Sequence, residues 1–366
     1  MKIGIVSLRV SIGQFSHFLA FKEMLENNGH KVCLIIHEGY RRFCENEPLL
    51  RNSEIIYIAS RTDLSNIVVD AALFYNISPM DVYAIKAMKH NNPKAKVLYT
   101  YHEPWYGLNV WMKDIIEHRV KVIVPIKNIA IHFLAIRALR ICDMVVLPSN
   151  TAKEIYNRYD VKYNRNIAIF PLIYRDEAKD QPIHNDQRYF SFIATADMEK
   201  NFPLFLQCIL EFFKRDSKFK AQIVTKADIS SFWLPELDPY KKEGRLIVQS
   251  GRLLENSEIN AALTKSYCTW LYYHHSTQSG VLARAFMLSS PVLASTSGCF
   301  CDYVNGKNGI VISETLDSKD AIEEIWKAQR IISDNLSAMR VEARNTFDQS
   351  FSYHAFSDEF EKLIKN

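Results

Sequence analysis

The 366-residue sequence predicts an α/β protein built from two Rossmann-like, doubly wound domains. Three observations predict this fold. The length exceeds what one hydrophobic core usually serves. Short runs of Val, Ile and Leu alternate with helical segments, as expected for parallel strands buried on both faces. A polar stretch at residues 175–187 interrupts this alternation, which then starts again.

The first half of the chain has the element order of a doubly wound sheet. A helix that starts near His17 should end at Gly29, a residue suited to a helix C-cap. A helix is expected over 81–90, and another follows Ser149, a suitable N-cap. The strands are expected at 3–7, 31–37, 54–59, 68–75, 95–101, 143–148 and 166–170.

Residues 108–141 differ from the rest of the first half. They are helical in pattern and strongly apolar, with many Lys, Arg and His residues and few acidic ones. Such a segment can lie on an anionic membrane surface. A pair of core helices with solvated basic edges explains the pattern equally well, so both interpretations stay open.

The second half repeats the alternation, and its end is helical. We expect domains at 1–180 and 181–345, with a C-terminal helix at 346–366 that returns to the first domain. Two such domains should face a central cleft, and ligands bind at the carboxyl ends of parallel strands. The strands are expected at 189–194, 221–225, 245–249, 268–273, 292–294 and 309–312, and the helices at 202–214, 256–264 and 280–288.

Composition excludes several classes of protein. The net charge of +4 is mild, and no nucleic-acid-binding motif accompanies it, so we expect no nucleic acid partner. The seven cysteines include no CxxC pair, which favours neither disulfides nor a metal site, and we expect no cofactor. Cys299 and Cys301 should be two buried thiols on a strand. No signal peptide or membrane-spanning run is present, so a cytoplasmic location is expected.

Two candidate sites lie in the first half. Gly13, in the loop after the first strand, would let backbone amides approach a phosphate or a sugar, although an ordinary βα turn is the alternative. His102 and Glu103 follow a predicted strand, where they could do acid/base or hydrogen-bonding work. A structural histidine is the alternative there.

Two more candidate sites lie in the second half. Lys200 stands where a helix begins, a suitable place for a cation that faces a pyrophosphate, although it could also be a solvated loop lysine. The segment Gln278-Ser279-Gly280-Val281 opens a predicted helix, so its backbone N–H groups can face a diphosphate.

These motifs resemble the GT-B glycosyltransferases, and within them glycosyltransferase family four and its bacterial polysaccharide relatives. Glu199-Lys200-Asn201 is similar to the turn that follows the first strand of the family's nucleotide domain. Residues 284–295 are similar to the end of its Glu-x7-Glu segment and the Pro-Val strand after it. Gly13 matches the glycine loop, and His102 matches the strand-end histidine.

The resemblance implies transfer of a sugar from a nucleotide-diphosphate donor, such as a UDP- or GDP-sugar. The acceptor would be a glycan or a polyprenyl-diphosphate-linked oligosaccharide, as in O-antigen or capsule synthesis. The family mechanism retains the anomeric configuration and needs no metal. Residues 108–141 would then contact the inner face of the plasma membrane as a peripheral anchor.

The sequence departs from the family at two positions. In the register set by Pro291, the two family glutamates correspond to Ser276 and Arg284, so both carboxylates are absent. Arg284 could instead contact a donor phosphate or pair with Asp302. The alternative function is a catalytically degenerate GT-B-like protein that binds a nucleotide sugar or a partner enzyme. An epimerase or a phosphorylase of the same fold is a further alternative, but no motif for a phosphorylase's cofactor lysine is present.

Overall fold

The computed structural model of the chain describes residues 1–117, 123–178 and 188–365. It contains two parallel β-sheets flanked by helices. The chain divides into two compact units, here called unit 1 and unit 2. Unit 1 comprises Met1–Met112, Lys121–Arg175 and Phe351–Asn366, and unit 2 comprises Lys113–Val120 and Asp176–Ser350.

Every strand pairing in the two sheets is parallel, as the continuous apolar runs predict. The strands are β1 (Lys2–Ser7), β2 (Lys31–His37), β3 (Glu54–Ile58), β4 (Ala71–Phe74), β5 (Lys96–Thr100), β6 (Met144–Leu147), β7 (Ile167–Ile169), β8 (Tyr189–Ile193), β9 (Ala221–Val224), β10 (Leu246–Gln249), β11 (Ser266–Leu271), β12 (Val292–Ser295) and β13 (Gly309–Ile312).

The helices fill most of the segments between the strands and the end of the chain. They are α1 (Phe15–Asn27), α2 (Arg41–Cys44), α3 (Asp81–Asn91), α4 (Leu108–Ile116), α5 (Ile123–Leu139), α6 (Asn150–Tyr159), α7 (Phe202–Arg215), α8 (Asp238–Lys242), α9 (Asn256–Thr264), α10 (Gly280–Met287), α11 (Phe300–Tyr303), α12 (Ser318–Asp334), α13 (Leu336–Ser350) and α14 (Tyr353–Lys365).

Unit 1 holds the seven-stranded sheet, in the order β3-β2-β1-β4-β5-β6-β7. Helices α3, α5 and α6 cover part of it and bury apolar side chains against β1, β4, β5 and β6. The Ser149 side chain caps α6 by accepting from the Ala152 N–H at 3.0 Å, as predicted. Helix α14 packs on α1, where the rings of Phe21, Phe170 and Phe360 meet.

Unit 2 holds the six-stranded sheet, in the order β10-β9-β8-β11-β12-β13. Aromatic rings dominate its core, because Phe190 and Phe192 of β8 pack on Phe205 of α7 and on neighbouring rings. Trp270 of β11 is fully buried among the same side chains. This core fixes the start of α7 and the end of β11, which carry candidate residues.

The two neighbouring cysteines differ in their exposure to solvent. Cys299 is buried but Cys301 is exposed, because this segment forms the short helix α11 rather than a strand. The predicted pair of buried thiols is therefore wrong.

The predicted boundary segment at 175–187 is described only as far as residue 178, and its remaining residues lie outside the described ranges. Within the described ranges, no helix combines the length and the apolar character that crossing a membrane requires.

Candidate active site

The strand order of unit 2 reverses between β8 and β11, which lie side by side. From β8 the chain winds towards β9 and β10, and from β11 it winds the other way, towards β12 and β13. In open α/β sheets, ligands bind in the crevice at such a switch point, beyond the carboxyl ends of the strands. The segments that leave those two strand ends contain Lys200 and residues 278–281, two of the predicted sites.

Lys200 is held at the switch point by its backbone. Its N–H donates to the Asp197 carboxylate at 2.8 Å, and its carbonyl accepts from the Trp270 indole N–H at 3.0 Å. Its ammonium lies 3.0 Å from the Glu199 carboxylate and 4.7 Å from the centre of the Tyr273 ring. Burial raises the pKa of the Asp197 carboxyl, and the Lys200 N–H opposes this rise.

The second segment begins α10. The Ser279 hydroxyl caps this helix by accepting from the Leu282 N–H at 3.2 Å. The first backbone N–H groups of any helix have no carbonyl partner within the helix, so those of Gly280 and Val281 can bind an anion. The backbone N–H of His274 donates to the Glu199 carbonyl at 3.0 Å, which joins this segment to the Lys200 turn.

A close backbone contact shapes the loop that precedes α10. Gly298, with φ of 73°, packs so tightly that an added Cβ would lie 1.8 Å from the Ser276 carbonyl oxygen. The Cys299 N–H donates to that same oxygen at 2.7 Å. The Ser276 hydroxyl donates to the Gln278 carbonyl at 2.8 Å. Hydrogen bonds and packing therefore stabilise this loop.

Arg284 is buried on α10 and turned towards α9. Its guanidinium donates to the Asn260 side chain at 3.2 Å and lies 3.9 Å from the Glu177 carboxylate. Asn260 in turn donates to Glu177 at 2.7 Å. These contacts join α9, α10 and the segment at 176–178, a role that the sequence did not indicate.

In unit 1, the loop after β1 is held by side chains distant in sequence. The Tyr40 hydroxyl accepts from the Ser11 N–H at 2.7 Å and donates to the Arg9 carbonyl at 3.1 Å. Asn76 donates to the Ser7 hydroxyl at 2.8 Å. Gly13 is exposed, and a Cβ added there would meet nothing within 4 Å. Sequence reasoning missed Tyr40 and Asn76, because no local pattern marks them.

His102 and Glu103 follow β5 but have different surroundings. His102 is buried, 5.0 Å from the Tyr75 ring between ring centres, whereas Glu103 is exposed. Tyr75 also stacks with His17, with 6.1 Å between the ring centres. His17 Nδ1 lies 2.9 Å from the Ile173 carbonyl, an acceptor, so this nitrogen carries the hydrogen. His17 therefore belongs to the same cluster, which sequence reasoning did not identify.

Within 1–117, 123–178 and 188–365, no three His, Cys, Asp or Glu side chains come together in a way that could hold a metal ion.

Several solved structures share the fold of the whole chain. Sucrose-phosphate synthase from Thermosynechococcus elongatus superposes with a TM-score of 0.68 at 12% identity, covering 100% of this chain and 98% of that one. HepE from Anabaena in complex with UDP gives 0.69 at 10% identity, covering 100% and 99%. WaaG, a glycosyltransferase involved in lipopolysaccharide biosynthesis, gives 0.66 at 15% identity, covering 100% of both chains.

Neither the comparison with protein families nor the search of curated proteins finds a match for this sequence. The structural likeness confirms the predicted fold, an α/β protein of the GT-B type with two Rossmann-like halves.

Proposed function

We propose that the chain is a glycosyltransferase that moves a sugar from a nucleotide-diphosphate donor to a glycan or lipid-linked oligosaccharide acceptor. One observation carries this proposal: in a GT-B fold, the hydrogen bond from the His274 N–H to the Glu199 carbonyl joins the Lys200 turn to the segment that leads into α10, at the switch point of unit 2. A lysine and a row of backbone N–H groups are suited to a diphosphate. The HepE structure contains UDP, so UDP is the first nucleotide to test.

The proposed chemistry follows from where charge develops. As the bond between the sugar and the diphosphate breaks, negative charge grows on the departing nucleotide. Lys200 and the N–H groups of Gly280 and Val281 stabilise that charge without having to reorganise. In this scheme these groups take the role that a metal ion plays elsewhere, and the anomeric configuration is retained, as the resemblance to family four implies.

We assign the acceptor to unit 1. His102 and Glu103 stand at the carboxyl end of β5, and the exposed Gly13 leaves its backbone open to an approaching ligand. An acceptor hydroxyl needs a hydrogen-bonding partner near its reacting oxygen. We place the acceptor among surface polysaccharide precursors of the O-antigen or capsule type, an assignment by analogy with the resembled family.

We also propose that α5 rests on an anionic membrane surface. Among the α5 side chains that the structure describes, the large apolar ones exposed to solvent are Ile123 at 64%, Ile126 at 57% and Phe133 at 64%. Their spacing of three and seven residues places them on one side of the helix. Arg137 continues that side in the next turn, Arg140 follows directly after the end of the helix, and both are exposed. Apolar residues followed by basic ones suit the boundary between acyl chains and anionic headgroups.

A specific observation favours the alternative of a catalytically degenerate protein. Ser276 and Arg284 occupy the positions of the two family glutamates. The Ser276 backbone is packed against Gly298, and Arg284 is bonded to Asn260 near Glu177. Neither position therefore offers a carboxylate to a nucleotide sugar. Such a protein would bind a nucleotide without turning over its sugar.

Titration calorimetry with UDP and GDP, together with a hydrolysis assay on a panel of UDP- and GDP-sugars, tests the function. We expect Lys200→Ala to weaken diphosphate binding by about 1.5–3 kcal/mol, because a charge-assisted contact is lost. Lys226→Ala is the matched control, since this exposed lysine follows β9 in the same sheet. Binding without turnover would favour the degenerate protein, and equal affinity in wild type and Lys200→Ala would contradict the proposed site.

A further inference from the structure

The Tyr273 side chain lies beside Lys200 at the proposed donor site, and its hydroxyl is unusual in its hydrogen bonding. Tyr273 is 2% exposed, two residues beyond the end of β11. Its hydroxyl is buried, and it finds no hydrogen-bonding partner in the part of the chain that the structure describes. A buried polar group without a partner destabilises the folded state, so each such group in a native protein calls for an explanation.

One cation and one aromatic ring pack against Tyr273. The Lys200 ammonium lies 4.7 Å from the ring centre, and the Phe300 ring packs edge-on at 5.6 Å. The backbone holds the residue in place, because its carbonyl accepts from the Ser295 hydroxyl at 2.6 Å. Burial, with the nearby charges of Asp197 and Glu199, raises the pKa of the hydroxyl, which therefore stays protonated and donates.

We propose that the Tyr273 hydroxyl is a donor-binding group that gives a hydrogen bond to a diphosphate oxygen of the nucleotide sugar. This inference rests on the proposed function of unit 2. The Tyr273 ring holds the Lys200 ammonium at the switch point, while the hydroxyl supplies one more donor to the anion that Lys200 and α10 bind. In this arrangement, the diphosphate supplies an acceptor that no described residue gives this hydroxyl.

The variant Tyr273→Phe removes the hydroxyl and keeps the ring that contacts Lys200. We expect its UDP affinity in titration calorimetry to fall about tenfold, equivalent to about 1.4 kcal/mol. Uridine, which has no phosphate, should bind both proteins equally. The melting temperature of the variant should equal or exceed that of wild type, because a buried polar atom without a partner has been removed.

Tyr272→Phe is the matched control. The Tyr272 hydroxyl donates to the Ser313 carbonyl at 2.5 Å, so its loss should lower the melting temperature and leave UDP affinity unchanged. Equal UDP affinity in wild type and Tyr273→Phe would overturn the inference while leaving the proposed function intact. If the wild-type chain itself bound neither UDP nor GDP, the proposed function would fail, and this inference with it.

Discussion

Position 298 is one that only glycine can occupy without a shift of the backbone. Its φ of 73° lies in the left-handed region, and an added Cβ would stand 1.8 Å from the Ser276 carbonyl oxygen. We expect Gly298→Ala to lower the free energy of unfolding by more than about 2 kcal/mol, because conformational strain and a backbone clash add together. Urea denaturation followed by circular dichroism measures this loss.

Gly306 provides the control for Gly298. It has a similar φ of 81°, but an added Cβ there meets nothing within 4 Å. Gly306→Ala therefore carries the conformational cost alone, about 1 kcal/mol. Equal losses in the two alanine variants would show that the contact with Ser276 is unimportant.

Candidate site residues could be located from the sequence where a local pattern marks them, but not where their position depends on contacts between residues distant in the chain. Ser279 and Lys200 could be placed from the sequence, because a strand end followed by a helix start marks their position. The partners of Arg284 could not, since Glu177 and Asn260 are far away in sequence. The role of Tyr40 could not be predicted for the same reason, because its contact with Ser11 spans 29 residues.

Helix α5 exposes apolar side chains that we propose to contact a membrane. We expect the double variant Ile126→Ser and Phe133→Ser to lose at least tenfold in affinity for vesicles that contain phosphatidylglycerol. Burying each large apolar side chain contributes about 1.5–3 kcal/mol, so losing two should exceed that threshold. Co-sedimentation with vesicles at fixed ionic strength measures the change.

Val341→Ser is the control for the α5 variant. Val341 is 62% exposed on α13, so this substitution removes an exposed apolar side chain from another helix. Vesicle binding should be unchanged in that variant. A wild-type chain that binds phosphatidylglycerol vesicles no better than phosphatidylcholine ones would rule out the membrane role of α5.

The bounds of a strand or helix could be predicted where an apolar run or a cap residue marks both of its ends. The bounds of β2, α9 and β13 match the predicted ranges, because apolar runs or caps define both of their ends. The strand predicted at 268–273 is Ser266–Leu271 instead. Tyr272 and Tyr273 favour a strand by composition, yet the ladder that joins β11 to β12 ends at Leu271. Residue type alone does not show where a neighbouring strand stops.

The doubly wound topology could be predicted from the sequence, because parallel strands buried on both faces leave few other arrangements. Two backbone contacts join the C-terminal segment of unit 1 to Tyr174. The Tyr174 N–H donates to the Phe351 carbonyl at 2.8 Å, and a bridge joins Tyr174 to Ser352. No sequence pattern marks these contacts, since they link residues that are distant in the chain.

Stability of the whole chain should depend on the protonation of Asp160. This carboxyl is fully buried at the C-terminus of α6, with His132 Nε2 at 3.7 Å. Burial raises its pKa to about 6, and the Trp105 N–H, the Tyr101 hydroxyl and Lys162 oppose this rise. The negative end of a helix dipole also disfavours the charged form.

The sign of the pH dependence follows from this raised pKa. The unfolded carboxyl titrates near pH 4, so between about pH 4 and pH 6 the native state binds more protons than the unfolded state. The Asp160 contribution to stability is therefore greatest below about pH 4, and about 2–3 kcal/mol of it is lost as pH rises towards 6.

The variant Asp160→Asn tests this dependence, because its side chain cannot ionise. Its melting temperature should rise relative to that of wild type as pH increases from 4 to 7. Asp358→Asn, which removes an exposed carboxyl of α14, controls for the lost charge. A difference between Asp160→Asn and wild type that stays constant from pH 4 to pH 7 would show that Asp160 ionises in the folded chain as it does in the unfolded one.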